Sequence, residues 1–173
     1  MKNKIKIFSY IILTIFIIDV IKCDITIIGP NDLSSQFKNK LIGMTFDKIG
    51  KSNYDFYTRG QLFLDENNLE ACQNVKIPKL NVDTPYNEEF RVLITKRGGC
   101  SFVHKARNAQ IGGYSMVIVV NNMQTDIKKI IMTDDGSGND IFIPIAMISQ
   151  EDGEKIIDYL QNNKRSKVIL KIK

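Results

Sequence analysis

The sequence has few of the residues that carry metal binding and covalent catalysis. It contains one histidine and three cysteines in 173 residues, with no Cys-x-x-Cys pair. It also lacks a Gly-Lys-Ser/Thr phosphate loop and a Gly-x-Ser-x-Gly nucleophile elbow, which excludes the nucleotide and hydrolase sites built on those motifs. No Asn-x-Ser/Thr site for N-glycosylation is present. We therefore expect no cofactor and no bound metal.

The amino terminus has the pattern of a secretory signal peptide. Residues 1–6 are basic, residues 7–18 form an apolar run, and Cys23 is a small residue at the expected cleavage point. The apolar run is shorter than the roughly 20 residues of a spanning helix, so we favour a signal peptide over a membrane anchor. The sequence thus predicts a signal peptide at 1–23. The mature chain, 24–173, would have no membrane span and would enter the secretory lumen or be secreted.

Most of the positive charge lies in that segment. Removing residues 1–23 lowers Lys plus Arg from 24 to 20 and Asp plus Glu from 19 to 18, so the net charge falls from +5 to +2. Such a balance gives little reason to expect a nucleic acid partner. Removal of residues 1–23 also removes Cys23. It leaves Cys72 and Cys100 as an even pair in an oxidising compartment, which favours one disulfide.

The pattern of apolar residues in the mature chain predicts one α/β (α+β) domain, in which apolar strands alternate with short helices. The first helix should bury Phe102, Ala106, Ala109 and Gly113, and the second Ile156, Ile157 and Leu160. Ser149 and Asp152 have the spacing of a capping box at the start of the second helix. We expect strands at 25–28, 41–46, 60–64, 90–95, 115–121, 141–148 and 168–172, and helices at 101–111 and 149–163.

Ordered motifs give a more specific indication. They are Arg97-Gly98-Gly99-Cys100-Ser101-Phe102, then Lys105-Ala106-Arg107-Asn108-Ala109-Gln110, Gly112-Gly113, Asn121-Asn122, and Ile143-Pro144-Ile145-Ala146-Met147-Ile148 with Asp152-Gly153. This series resembles the protease-associated (PA) domain. Upstream, Gly60-Gln61-Leu62 with Ala71-Cys72 is similar to the PA domain of plant vacuolar sorting receptors.

The resemblance implies a β/β/α swivelling fold, with a barrel-like sheet core and two flanking helices. It implies a single PA domain over 24–173, with its signature at about 60–163, and it pairs Cys72 with Cys100. PA domains bind cargo, substrates or partner proteins, so the expected role is non-catalytic binding of a polypeptide. Since the sequence ends at Lys173 without a protease domain, a transmembrane helix or a RING, it resembles the small stand-alone secreted PA proteins. The oligomeric state is left open.

The predicted binding site combines two loops. In the first, Gly98 and Gly99 leave backbone amides uncovered at a helix amino terminus, and Arg97 adds donors suited to a carboxylate or to carbonyl groups. The resemblance adds a second loop around Met132, Thr133 and Asp134. A simpler interpretation also fits the first loop: the glycines only make a tight turn, and Arg97 pairs with a nearby acid.

Three further alternatives stay open. Cys100 and His104 are four residues apart at a helix start, so they form a candidate thiolate–imidazole pair of a thiol enzyme. Residues 134–140 offer oxygen ligands for calcium, but without the spacing of an EF-hand loop. The chain is also compatible with a structural lumenal factor that has no defined ligand.

Overall fold

The computed structural model describes residues 22–37, 41–44, 49, 58–76 and 90–173. Residues 1–21, and with them most of the predicted signal peptide, lie outside the described residues. The first strand begins at Lys22. It therefore includes the expected cleavage position after Cys23, and the signal peptide stays a prediction.

Seven strands close into a barrel. Around the barrel their order is β1-β2-β6-β5-β4-β3-β7, so the first and last strands of the described residues lie side by side. The strands are β1 (Lys22–Gly29), β2 (Leu41–Met44), β3 (Thr58–Leu64), β4 (Phe90–Lys96), β5 (Met116–Val120), β6 (Ile145–Ile148) and β7 (Val168–Ile172).

Four neighbouring strands, β3 to β6, run parallel to one another, whereas β1, β2 and β7 pair antiparallel. Strands β4 and β5 are joined by helix α2 (Phe102–Ile111), and β6 and β7 are joined by α3 (Gln150–Asn162). A four-residue helix, α1 (Asn31–Ser34), follows β1. The carboxyl ends of β4, β5 and β6 therefore meet at one edge of the sheet.

The apolar side chains form two clusters on opposite faces of the sheet. The inner cluster takes Met116, Ile118 and Val120 from β5 together with Ile156 and Ile157 of α3. The outer cluster takes the alternating β5 residues Val117 and Val119, and packs them against α2. Because β5 is covered on both faces, its sequence is a continuous apolar run, as in other buried parallel strands.

The structure confirms the α/β fold class, and the predicted elements differ mainly at their ends. The predicted strand 141–148 is shorter than expected, since only Ile145–Ile148 is extended and paired. Proline at 144 has no amide to donate, although its carbonyl accepts from Val117 at 3.0 Å. Ile141 and Ile143 are nonetheless buried. The four-residue α1 was not expected from the sequence.

The predicted buried face of the first helix needs a correction. Val103, Ala106 and Ala109 are the apolar residues that α2 buries, whereas Phe102 is half-buried and Gly113 is exposed beyond the end of the helix. The face of α3 is as expected, with Ile156 and Ile157 buried and Leu160 half-buried. Ser149 caps α3 by accepting from the amide of Asp152 at 3.1 Å.

Candidate functional site

Polar side chains gather where the parallel strands end. Arg97 follows β4, Asn121 follows β5, and Ser149 follows β6 and is the N-cap of α3. In α/β sheets, ligands bind in the crevice outside the carboxyl ends of parallel strands. This edge is therefore the first place to look for a binding surface.

Arg97 lies at this edge with neutral partners. Its amide donates to the carbonyl of Val120 at 2.9 Å, which continues the pairing of β4 with β5. Its Nη1 donates to Oδ1 of Asn121 at 2.9 Å, and its guanidinium carbon lies 5.9 Å from the centre of the Phe102 ring. The simpler interpretation expected an acid here, but the hydrogen-bond partner is an uncharged amide. The arginine is only partly buried.

Asn121 organises the loop after β5. It is 1% exposed, and its Nδ2 donates to the carbonyl of Met123 at 2.7 Å and to Oγ1 of Thr125 at 3.2 Å. Its Oδ1, which accepts from Arg97, also accepts from the amide of Asn122 at 3.0 Å. One buried amide thus fixes both Arg97 and the loop. In the sequence, Asn121 stood out only as part of a motif. The signal that could have identified its role is a polar residue directly after an apolar strand.

An open cleft of about 500 Å³ lies beside this loop. One wall is the loop that Asn121 holds, and the other is the start of α3. No sequence pattern pointed to the cleft, because it forms between two segments that are distant along the chain. Its lining residues are Met123, Gln124, Thr125, Ser149, Gln150, Glu151 and Glu154.

The two-glycine loop is already covered by the chain itself. Gly98 and Gly99 have φ angles of +131° and +68°, which favour glycine. A Cβ on either glycine would overlap the carboxylate of Glu70, so this side chain lies against the open face of the loop. The turn therefore needs its glycines for conformation and for close approach, and the carboxylate of Glu70 lies against the loop where an anion was predicted to bind.

Beneath the loop lies a fully buried lysine. Lys105 is 0% exposed, and its Nζ donates to the carbonyl of Gly98 at 2.6 Å and to the carbonyl of Glu70. Burial lowers the pKa of Lys105 to about 8, and the charge of Glu70 partly opposes this shift. Sequence reasoning placed Lys105 in a motif without a role, because lysines are almost never fully buried.

The predicted disulfide is present. Cys72 and Cys100 are bonded, with their Cα atoms 5.7 Å apart. In this form Cys100 has no thiolate to offer to the proposed thiol–imidazole pair. The ring of His104 lies instead with Nε2 3.2 Å from the carbonyl oxygen of Cys72.

The second predicted loop meets the start of α2 rather than Arg97. Met132 is 1% exposed and belongs to the outer core cluster, so its side chain supports the loop from below. Thr133 is exposed, and Asp134 accepts from the amides of Gly136 and Gly138.

The link to α2 runs through the neighbouring aspartate. Asp135 accepts from the hydroxyl of Ser101 at 2.5 Å. Hydrogen bonds, first from Ser101 and then from Ser137, lower the pKa of Asp135 to about 2. Of the oxygens suggested for calcium, the carboxylates of Asp134 and Asp135 are thus engaged by amides and hydroxyl groups, and that of Asp140 accepts from Arg107. The loop directly after β5 is the one that Asn121 holds.

Comparison with known proteins gives a consistent picture. Residues 58–156 match the model of the family described as the PA domain. Signal peptide peptidase-like 2 of Arabidopsis thaliana is 35% identical over 74 residues, which are 43% of this chain and 14% of that protein. Receptor homology region, transmembrane domain- and RING domain-containing protein 3 of the same plant is 33% identical over 91 residues, 53% of this chain and 20% of that protein.

Solved structures share the fold. An aminopeptidase from Aneurinibacillus sp. strain AM-1 superposes with a TM-score of 0.55 at 17% identity, covering 88% of this chain and 29% of that one. A peptidase M28 precursor from Shewanella amazonensis SB2B gives 0.52 at 15% identity, covering 87% and 33%. The chain therefore spans less than a third of the curated relatives and about a third of these peptidases. No helix in the described part of the chain is long and apolar enough to cross a membrane.

Proposed function

Because the chain belongs to the PA domain family, whose domains bind proteins, we propose that it binds polypeptide without catalysing a reaction. The binding surface is the edge where β4, β5 and β6 end. Arg97 is its anchor, and the cleft beside Asn121 receives the neighbouring part of the ligand. We place the domain on the lumenal or extracellular side of a membrane.

The position of Arg97 carries this proposal. A guanidinium has five N–H donors, and the partners of Arg97 at the edge are an amide oxygen and an aromatic ring, neither of which neutralises its charge. A peptide carboxylate or a pair of carbonyl groups can accept two hydrogen bonds from such a guanidinium in a bidentate arrangement. Asn121 pre-orients the fork, which lowers the entropy lost when a ligand binds.

The role proposed for the two sequence-predicted loops changes accordingly. Gly98 and Gly99 shape the turn that carries Arg97, since Glu70 covers their open face. Thr133 and Asp134 lie on the segment that is hydrogen-bonded to the start of α2, and in this proposal they form part of the rim of the binding surface. The buried Met132 supports that segment.

Two observations support a lumenal or extracellular position. A disulfide persists in oxidising compartments, and Cys72 and Cys100 are bonded. The matched relatives carry the names signal peptide peptidase-like and transmembrane domain-containing, which fits a place along the secretory route. The predicted signal peptide at 1–23 leads to the same compartment.

The non-catalytic part of the proposal rests on the state of Cys100. Its sulfur is bonded to Cys72, so the thiol enzyme considered from the sequence has no nucleophile in this form. The aminopeptidase structures are less than 20% identical to the chain and share its fold alone.

The test uses the disulfide-bonded full chain to select ligands from a random-peptide phage library, followed by affinity measurements on the resynthesised peptides. We expect Arg97→Ala to weaken binding by about tenfold or more, because a hydrogen bond to a charged group contributes about 1.5–3 kcal/mol. Arg97→Lys should retain part of the affinity. Arg165→Ala removes the same charge from an exposed position and is the matched control.

Two results would contradict the proposal. Equal affinity of Arg97→Ala and Arg165→Ala would remove Arg97 from the binding surface. Failure to enrich any peptide over the phage background would favour the structural lumenal factor.

A further inference from the structure

The disulfide is in contact with a buried cation. Nζ of Lys105 lies 3.7 Å from Sγ of Cys100 and 3.8 Å from Sγ of Cys72, and the lysine is 0% exposed. Both cysteines are themselves only half-buried, so we expect a small thiol to reach the disulfide. We propose that the Cys72–Cys100 disulfide is a thiol-exchange site, opened by thiol reductants such as glutathione, in which Cys100 leaves as a thiolate paired with Lys105.

The surroundings of the two sulfurs differ in a way that favours Cys100 as the leaving group. Cys100 directly precedes Ser101, the N-cap of α2, and the amino terminus of a helix stabilises a thiolate. Sγ of Cys72 lies near two carbonyl oxygens, of Glu70 at 3.5 Å and of Gly98 at 3.7 Å, which disfavour negative charge on it. Sγ of Cys100 lies 3.9 Å from the Glu70 carbonyl. The thiol that forms the more stable thiolate leaves faster.

The exchange balances as two ordinary substitutions. A reductant thiolate attacks Sγ of Cys72, the bond between the two sulfurs breaks, and its electron pair stays on Cys100 as a thiolate beside Lys105. A second reductant thiolate then attacks the reductant sulfur of the mixed disulfide, and Cys72 leaves as a thiolate. This step forms the oxidised reductant disulfide and leaves Cys72 to take a proton from water. Two electrons pass from the reductant to the protein.

Lys105 also explains how the bond can open without unfolding the domain. Its ammonium donates to the carbonyl of Glu70, beside Cys72, and to the carbonyl of Gly98, beside Cys100. These hydrogen bonds join the same two segments that the disulfide joins. Asn108 adds a further link, since its Nδ2 donates to the carbonyl of Ala71 at 2.8 Å.

The other titratable groups around the sulfurs act in both directions. The carboxylate of Glu70 lies against the glycine loop and disfavours a nearby thiolate. His104 lies on α2 with its ring near the Cys72 carbonyl, and Asp135 accepts from Ser101. Of these charges, only Lys105 is in direct contact with both sulfurs, so we expect its effect to be the largest.

The first measurement needs no substitution. The full chain is reduced and alkylated with iodoacetamide over a pH series, and the rate at each cysteine is read by peptide mapping. We expect Cys100 to titrate at least one unit below the ordinary thiol pKa of about 8.5, which gives roughly tenfold more thiolate at pH 7. Cys72 should titrate closer to the ordinary value. Far-UV circular dichroism of the reduced chain checks that it stays folded.

The second measurement separates a counter-ion from a structural clamp. In glutathione buffers of graded ratio, each over a pH series, we expect the equilibrium constant for reduction to the Cys100-thiolate form to be about tenfold larger in the wild type than in Lys105→Met, for one unit of thiol pKa. Lys105→Arg retains the charge and should stay near the wild-type value. If Lys105 only clamps the two segments, Lys105→Met will be reduced more easily than the wild type.

Either of two results overturns the proposal. One is a Cys100 in the reduced wild-type chain that titrates at or above 8.5, whatever the variants do. The other is a folded Lys105→Met protein that is reduced as easily as the wild type, or more easily. Neither result bears on peptide binding at Arg97, which is tested with the disulfide intact.

Discussion

The contact between α3 and β5 gives a sharp stability prediction. Gly153 is buried in α3 and faces Val120, the last residue of β5. A Cβ built on Gly153 would lie 2.8 Å from the Cβ of Val120 and closer still to both of its γ carbons. Replacing glycine by alanine in a helix normally stabilises it, but at this position we expect Gly153→Ala to destabilise the domain.

The magnitude follows from two opposing terms. Helix propensity favours alanine over glycine by about 1 kcal/mol. Overpacking a core costs about 1–3 kcal/mol, and the upper end applies here because Val120 is β-branched, 2% exposed and paired with both β4 and β6. The net loss is therefore about 2 kcal/mol, or roughly 4–8 °C in Tm for a domain of this size.

Urea unfolding of the disulfide-bonded chain, followed by circular dichroism, measures this loss. Asp158→Ala is the control, since it places alanine at an exposed position of the same helix and should change stability by less than about 0.5 kcal/mol. Val120→Ala removes the overlapping methyl groups. Its combination with Gly153→Ala should show a favourable coupling of at least about 1 kcal/mol. A neutral or stabilising Gly153→Ala would refute the close packing of α3 on β5.

Three further substitutions test the framework around the site. Ser101→Ala removes the N-cap of α2 and a donor to Asp135, so we expect a loss of about 1 kcal/mol in stability and a carboxyl pKa that rises from about 2. The lowered pKa of Asp135 stabilises the folded wild type above about pH 4, and this stabilisation is lost as the pH falls toward 2. The variant should therefore lose less stability on acidification. Ser137→Ala should raise the same pKa, seen by NMR titration, with the cap intact. Asn108→Ala leaves the Ala71 carbonyl without its donor and should cost about 1–3 kcal/mol in urea unfolding; unchanged stability would contradict that hydrogen bond.

The regular elements were predictable because their patterns are local. The continuous apolar run of β5 and the period of α3 both follow from which faces are buried, and the structure confirms both. The closure of the barrel was not predictable in the same way. The pairing of β1 with β7 joins residues almost a whole chain apart, and no local pattern specifies the register of Ile25 with Ile172.

The site was predictable in part for the same reason. Arg97 and its glycines are contiguous, so a motif reveals them. Glu70 and Lys105 acquire their roles from tertiary contacts, since one lies over the loop and the other beneath it. Average burial places lysine outside, so the fully buried Lys105 runs against that prior. Met132 shows the opposite case, a residue expected at the surface that the fold places in the core.

These contacts change which part of the loop is available for recognition. From the sequence, the glycine amides were the attractive feature, because exposed amides at a helix amino terminus bind anions. In the structure the carboxylate of Glu70 lies on that surface, and Lys105 engages the Gly98 carbonyl from below. Both contacts fasten the loop to neighbouring side chains, so we interpret it as a support for Arg97. In the binding mode that we propose, the charge left for a ligand is the guanidinium of Arg97, which Asn121 holds at the edge beside the cleft. We therefore expect recognition at Arg97 and the neighbouring cleft rather than at the glycine amides.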